Sequence, residues 1–207
     1  MKIIMIAAFD FDNTIIPVNS DTYINKLVKS RRELSDLTHI YPHHVEEIGD
    51  INGWTARMQA VFDFMHKEYN ITEKDFTECL NEIEIEESMK KLLRALKEKD
   101  YRLVIISDAN TIFIETILRQ NGLADLFDMN KSIYTNKAFF DQNGRLNVLP
   151  FNQSYNQEKQ TFNCETNMCA KNICKGIYLI SLMKGFCLFL IGFIESRHSV
   201  SGVVVDA

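Results

Sequence analysis

A nearly continuous apolar run from Lys2 to Phe9 that ends directly in acids is the feature that most constrains the fold. Such an Ile-rich run is typical of a strand buried on both faces of a parallel sheet. The segment Asp10-Phe11-Asp12-Asn13-Thr14 follows at once. Directly after a strand, residues at i and i+2 point from the same side of the chain into the space beyond the strand's carboxyl end. The sequence therefore predicts that the carboxylates of Asp10 and Asp12 lie together at one edge of a sheet.

Two carboxylates in this arrangement suit an aspartate-based phosphatase. One carboxylate attacks phosphorus and forms a phospho-aspartate, which water later hydrolyses. The second protonates the leaving alkoxide and then helps to deprotonate water. Mg²⁺ offsets the charge between carboxylates and phosphate oxygens. We expect Asp10 to be the nucleophile, Asp12 the general acid/base, both to contribute to the metal site, and Thr14 to contact phosphate.

The pattern of the remaining chain predicts an α/β arrangement. Residues 101–106 repeat the apolar run and end in a polar turn, Ser107-Asp108-Ala109-Asn110. Helical periodicity between the two strands predicts three helices. Two have an apolar face, formed by Trp54, Met58, Val61, Phe62 and Met65 in one and by Met89, Leu92, Leu93 and Leu96 in the other. The third begins at Thr72, with an acid three residues on at Asp75 as in a capping box. We therefore expect a Rossmann-like core of residues 1–18 and 100–207, with a helical cap inserted at 19–99.

Turn residues mark the later elements. Ile112 to Gln120 is predicted to be a helix that stops at Asn121-Gly122. Residues 132–135 predict a short strand, and residues 141–144 predict the turn of a small hairpin, because Asn-Gly favours positive φ.

Composition excludes some classes of function. The chain has 207 residues, of which 46% are hydrophobic and 25% charged, with a formal net charge of −5. A nucleic-acid binder usually shows a clustered basic surface, so this mild acidity argues against one. The short first apolar run is too brief for a spanning helix and lacks a small-residue cleavage site. We expect a cytoplasmic protein with reduced thiols.

Several motifs together carry a family resemblance. Phe9 to Ile16 and Asn19-Ser20-Asp21 resemble the haloacid dehalogenase superfamily, and more narrowly its phosphoethanolamine/phosphocholine and pyridoxal-phosphate phosphatases. The similarity continues through residues 105–110, 134–136, 143–146 and 169–175. It covers the chain from its start to about Lys175.

The resemblance implies roles for further residues. Ser107 matches the hydroxyl that binds phosphate, and Asp21 and Asp108 match acids that contact substrate. Lys175 matches the position that pairs with the phospho-aspartate. The substrate class implied is a small phosphomonoester: pyridoxal phosphate, phosphoethanolamine or phosphocholine.

From Gly176 onward the sequence is expected to depart from this family. The family's fourth motif, Gly-Asp-Gly-Gly-Asn-Asp, supplies acids that complete the magnesium site, and it has no counterpart here. Residues 203–206, Val-Val-Val-Asp, resemble it only faintly. The departure suggests a truncated or alternatively spliced form or a gene-model error, and predicts weak or absent turnover. A catalytically inactive phosphatase-like binding protein therefore stays open as an alternative.

Two tail features allow other interpretations. Residues 177–194 contain only Lys184 as a charge, which permits a membrane-associated variant, although the Lys and two glycines favour a buried or poorly folded segment. Cys164, Cys169 and Cys174 lack the tight spacing of a zinc site and a histidine partner. His43-His44 is expected in a loop of the cap. The oligomeric state is left open.

Overall fold

The computed structural model describes residues 5–29, 53–151, 173, 175–183 and 187–191. The strands are β1 (Met5–Phe9), β2 (Arg102–Asn110), β3 (Ile133–Phe140), β4 (Leu146–Leu149) and β5 (Cys187–Ile191). The helices are α1 (Ser20–Tyr23), α2 (Lys26–Lys29), α3 (Gly53–Tyr69), α4 (Glu73–Leu80), α5 (Glu87–Glu98), α6 (Thr111–Gln120) and α7 (Lys175–Met183), with a 3₁₀ turn at Ala124–Leu126.

The described strands form one sheet in the order β4-β3-β2-β1-β5. β1 pairs in parallel with both β2 and β5, and β2 pairs in parallel with β3. β4 is antiparallel to β3. The first apolar run is thus an internal strand, buried from Ile6 to Phe9. The α/β class predicted from the sequence is confirmed.

Helices cover both faces of this sheet. Ala7, Phe9, Leu103 and Ile105 join a large core with residues of α3 to α6. Within that core the ring of Phe62 meets the rings of Phe76 and Phe113 edge-on, at 5.8 and 5.9 Å between centroids. Burying each such ring stabilises the fold by about 2 kcal/mol.

The alternate residues of the same strands face the other way. Ile6, Ala8, Val104 and Ile106 form a second core with Ile173 and with Leu182 of α7. Because residues i and i+2 share a face of a strand, the two cores follow directly from the alternation along β1 and β2.

The helical predictions hold with one exception. Met58, Val61, Phe62 and Met65 of α3 are buried, and a Thr72–Asp75 capping box begins α4. α6 ends before Gly122, whose φ is +65°. On α5 Leu93 is buried, but Leu92 is 37% exposed, because it lies beyond the edge of the apolar face.

The polar turn predicted at residues 107–110 is wrong, since β2 continues to Asn110 with a register shift after Ile106. Side chains of β3 account for the extension. Thr135 Oγ1 donates to the Ala109 carbonyl at 2.7 Å, and Asn136 Nδ2 donates to the carbonyls of Asp108 and Ala109 at 2.6 and 2.9 Å. These bonds replace ladder bonds and keep the chain extended up to the N-cap of α6.

The strand predicted at residues 132–135 is longer than expected. β3 runs to Phe140 because its second half pairs with β4, and the hairpin turn at 141–144 is as predicted, with Gly144 at a φ of +77°. Gly144 suits this turn because a residue without Cβ adopts positive φ at little cost.

The apolar tail contributes to the sheet. α7 covers the second core, and β5 lies against the side of β1 opposite β2. Among the described residues, no helix is both long and apolar enough to cross a membrane. Other predictions concern residues outside the described ranges, namely Cys164, Cys169, Cys174, His43-His44 and the Val203–Asp206 segment. The division into core and cap stays a prediction, since α3 to α5 share one hydrophobic cluster with β1 and β2.

Candidate active site

Asp10 follows β1 directly and is buried in a tight loop. Its Oδ1 accepts a hydrogen bond from the Phe11 amide at 2.8 Å. The Phe11 carbonyl accepts the amides of Ile15 and Ile16 at 2.9 and 3.1 Å, and Asn13 takes a φ of +56°. Asn tolerates this left-handed conformation better than most residues. The local sequence therefore folds the residues directly after Asp10 into a tight, hydrogen-bonded loop.

Asp12 lies on the same loop and is also buried. Its Oδ1 accepts the Ser20 amide at 3.0 Å, which ties it to the start of α1. Thr14 is half-buried on this loop. Asp10 and Asp12 thus lie on one loop directly after β1, and each carboxylate accepts a hydrogen bond from a backbone amide.

Lys175 connects the loop after β1, which carries Asp10, to β2 through two ion pairs. Its Nζ lies 2.7 Å from Asp10 Oδ2 and 3.0 Å from Asp108 Oδ2. The predicted site residues Asp10, Asp108 and Lys175 are therefore in contact, although they come from three distant parts of the chain. Lys175 is at the first position of α7, which packs under the sheet.

The pKa of Asp10 reflects its burial. Loss of solvent raises the pKa of this carboxyl above its ordinary value, and the nearby charge of Asp108 adds to the rise. Lys175 and the Phe11 amide lower the pKa but do not outweigh burial. The ionised carboxylate is therefore costly, and a cation at this position favours it.

Ser107 and Asp108 occupy the last part of β2. Ser107 is buried, and its Oγ accepts the Ala109 amide at 3.2 Å. Phe9 pairs with Ile105, so Ser107 lies two residues beyond that pair on the strand next to Asp10. The side chains of Thr135 and Asn136 hold this end of β2. Their polar character within a strand could have indicated this supporting role.

Asp21 is buried in α1 and meets a residue that sequence reasoning placed elsewhere. Trp54, expected only on an apolar helix face, donates its indole N–H to Asp21 Oδ2 at 2.6 Å. No local pattern connects the two residues, because they are 33 positions apart.

The donor set near Asp10 has the chemistry that Mg²⁺ prefers, because it consists of oxygens. Both side chains are buried: the Asp10 carboxylate contacts the Phe11 amide and Lys175, and the Asp12 carboxylate contacts the Ser20 amide. Within the described ranges, no group of three or more His, Cys, Asp or Glu side chains is arranged around a common metal position. The sequence predicts that the Asp10 carboxylate and the Asp12 backbone carbonyl would hold the ion.

Comparison with known proteins agrees with this architecture. Residues 5–186 match the model of the family described as Putative Phosphatase. The match continues past Lys175, so the expectation that the resemblance ends there is wrong. Pyridoxal phosphate phosphatase PHOSPHO2 of Rattus norvegicus is 33% identical over 184 residues, covering 86% of this chain and 65% of the relative. The Homo sapiens protein of the same name is 32% identical over 185 residues, covering 88% and 67%.

The chain spans about two thirds of the length of these relatives. A solved structure of a HAD family hydrolase from Salmonella enterica serovar Typhi superposes with a TM-score of 0.55 at 13% identity, covering 91% of this chain and 56% of the other. That likeness concerns the fold. The chain therefore belongs to the Putative Phosphatase family and has the fold of the haloacid dehalogenase superfamily.

Proposed function

We propose that the chain is a Mg²⁺-dependent phosphoric monoester hydrolase that works through a phospho-aspartate on Asp10. The observation that carries this proposal is the contact of Lys175 with both Asp10 and Asp108. It joins a buried carboxylate, a cation and a second acid at the edge where β1 and β2 end. Sites on parallel sheets are generally found at this edge.

The chemistry divides among the chain's own residues. Asp10 Oδ attacks phosphorus and the bond to the leaving oxygen breaks, while Asp12 gives that oxygen a proton. In the second half Asp12 takes a proton from water, which attacks the phospho-aspartate and frees Asp10. The hydroxyls of Ser107 and Thr14 hold phosphate oxygens, and Lys175 offsets their charge. A bound Mg²⁺ would stabilise the charge on the phosphoryl oxygens.

The proposed substrate is a small phosphomonoester: pyridoxal phosphate, phosphoethanolamine or phosphocholine. Relatives named pyridoxal phosphate phosphatase support the first of these. A relative from Arabidopsis thaliana, 29% identical, is named thiamine phosphate phosphatase-like protein. Both names refer to phosphate esters of small, ring-containing alcohols.

Phosphate release with each candidate ester tests the proposal, with and without Mg²⁺. We expect release that depends on Mg²⁺ and falls to background in Asp10→Asn, because an amide cannot form the phospho-aspartate. Asp125→Asn, a change at an exposed acid outside the site, is the matched control and should keep the wild-type rate. Absence of release from the wild type, or equal release from Asp10→Asn, contradicts the proposal.

A further inference from the structure

The last part of β2 contains more residues than the stretch of β3 beside it. The register shifts between Ile106 and Asn110, so that three residues of β2 lie opposite one residue of β3. Such a bulge leaves backbone groups without partners in the ladder and re-aims the side chains of the extra residues. Ser107 and Asp108 lie in this bulge, so its conformation decides where the two proposed site residues of β2 point.

The side chain of Asn136 bonds the backbone of this bulge. Asn136 is only 2% exposed, and its Nδ2 donates to the carbonyls of Asp108 and Ala109 at 2.6 and 2.9 Å. Its Oδ1 accepts the amide of Phe151 at 3.1 Å. A primary amide offers donors and an acceptor on one rigid plane, so Asn136 ties the bulge to the chain that follows β4. The proposed chemistry assigns no role to this residue.

Phe151 continues this connection to α7. The centroid of its ring lies 4.8 Å from that of Tyr178. Tyr178 follows Lys175 by about one turn of α7, and Lys175 Nζ lies 3.0 Å from Asp108 Oδ2. The amide of Asn136 is therefore placed between the two elements, β2 and α7, whose side chains form that ion pair.

We propose that Asn136 is a positioning residue that acts on the phosphate site through β2 and α7. Its bonds to the bulge fix Ser107 and Asp108, and its link to α7 fixes Lys175. Because Ser107 and Lys175 are the groups proposed to hold phosphate oxygens, a small shift of either would move the phosphoryl group out of line with the nucleophile. This inference rests on the proposed function, because it assigns Asn136 to that same site.

The test compares Asn136→Ala with a matched control, Thr111→Val. Thr111 Oγ1 accepts the Ala138 amide at 2.9 Å and donates to the Ala138 carbonyl at 3.3 Å, so it also bonds the backbone of β3, but beyond the bulge. Both variants should lower Tm. In protein that circular dichroism shows to be folded, kcat/KM of Asn136→Ala should fall about 100-fold for pyridoxal phosphate and for phosphoethanolamine, because the two esters share the phosphoryl group. Thr111→Val should keep the wild-type values.

A merely structural role predicts a lower Tm for Asn136→Ala with an unchanged kcat/KM in the folded protein. That outcome, or an equal loss of kcat/KM in Thr111→Val, would overturn the inference. Phe151→Leu is a second variant for the case that Asn136→Ala does not fold. Phe151 is half-buried, and the change keeps its amide while it weakens the ring contact with α7. We expect an intermediate, about tenfold loss of kcat/KM, and a wild-type value would overturn the link to Lys175.

A binding measurement separates this inference from the proposed function. If the wild type releases no phosphate from any ester, the proposed function fails, and calorimetric titration with inorganic phosphate then decides the role of Asn136. About tenfold weaker binding in Asn136→Ala, with unchanged binding in Thr111→Val, supports the inference. Equal affinity in wild type and Asn136→Ala, the same weakening in both variants, or no binding to the wild type overturns it.

Discussion

At the scale of single residues, the ion pair between Asp10 and Lys175 has the largest consequences. The Asp10 side chain is 4% exposed and that of Lys175 is 18% exposed. Removing one partner of such a pair leaves a charge without compensation in a poorly solvated place. The loss is smaller than for a fully buried pair, because water reaches the lysine.

Lys175→Met is therefore expected to lower the free energy of unfolding by about 2 kcal/mol at pH 7 without Mg²⁺. It should also raise the pKa of Asp10 further, since Lys175 is a cause that lowers it. Urea unfolding measures the change. The double variant Asp10→Asn/Lys175→Met should recover part of the loss, because the isolated carboxylate is gone. Strict additivity of the two substitutions would contradict this account.

Cys79 provides a prediction about pH. Burial raises the pKa of its thiol from 9.0 to about 11, and Glu82 adds to the rise while Lys26 lowers it. The native state therefore keeps its proton where the unfolded chain has lost it. Stability should fall as pH rises from about 9 to about 11 and should not depend on this group below that window.

The measurement is the difference in unfolding free energy between wild type and Cys79→Ala across pH 8 to 11. Other groups titrate in the same window, but they are common to both proteins. We expect the advantage of the wild type to shrink steadily as pH rises. A constant difference would show that Cys79 ionises equally in both states.

At the scale of elements, the side chain of Gln59 bonds backbone groups of β4 that a neighbouring strand would otherwise pair with. β4 is an edge strand of the described sheet, and Gln59 of α3 bonds the Val148 amide and the Leu146 carbonyl. Capping an edge in this way also protects it from pairing with other chains. Asp63 on the same helix adds an ion pair to Arg145.

Gln59→Ala is expected to destabilise the protein by about 1–2 kcal/mol, because it leaves two backbone groups of β4 without these bonds. Gln59→Glu keeps an acceptor for Val148 and should cost less than the alanine. Thermal unfolding of both variants tests this ranking. Equal stability of Gln59→Ala and wild type would mean that water replaces the side chain without loss.

At the scale of the whole molecule, the apolar tail adds the strand β5 to the described sheet. β5 lies beside β1 over the full length Met5 to Phe9, and α7 covers Ile6 and Ala8. A fragment of residues 1–175 would expose a hydrophobic edge and most of the second core. We expect it to aggregate, as measured by the soluble fraction and by size-exclusion chromatography.

If the tail instead inserted into membranes, the 1–175 fragment would be more soluble than the full chain. Leu182→Asp in the full chain gives an independent check, because Leu182 is buried in the second core. A charge there should destabilise the fold and lower its solubility. Greater solubility of the fragment or of this variant would favour membrane association of the tail.

The sequence by itself determined the parts of this protein that depend on near neighbours. The run before Asp10 is a buried strand, the i and i+2 spacing places Asp10 and Asp12 in one loop, and Thr72 and Gly122 mark helix ends. Each of these depends on residues a few positions apart, where backbone geometry leaves little choice. The family resemblance, and not local spacing, indicated that Lys175 belongs to the same site as Asp10.

Only the tertiary structure decided which distant groups meet. The extension of β2 past Ser107 depends on side chains of β3, and the tail forms a strand because β1 has a second side to pair with. Trp54 reaches Asp21 because α3 is fastened to β4. An apolar run has the same composition whether it forms a strand or a buried helix. A tryptophan on a helix face has the same sequence spacing whether or not a carboxylate lies opposite it. Packing between elements resolves those choices, because the free energy of each contact depends on a partner that local sequence does not specify.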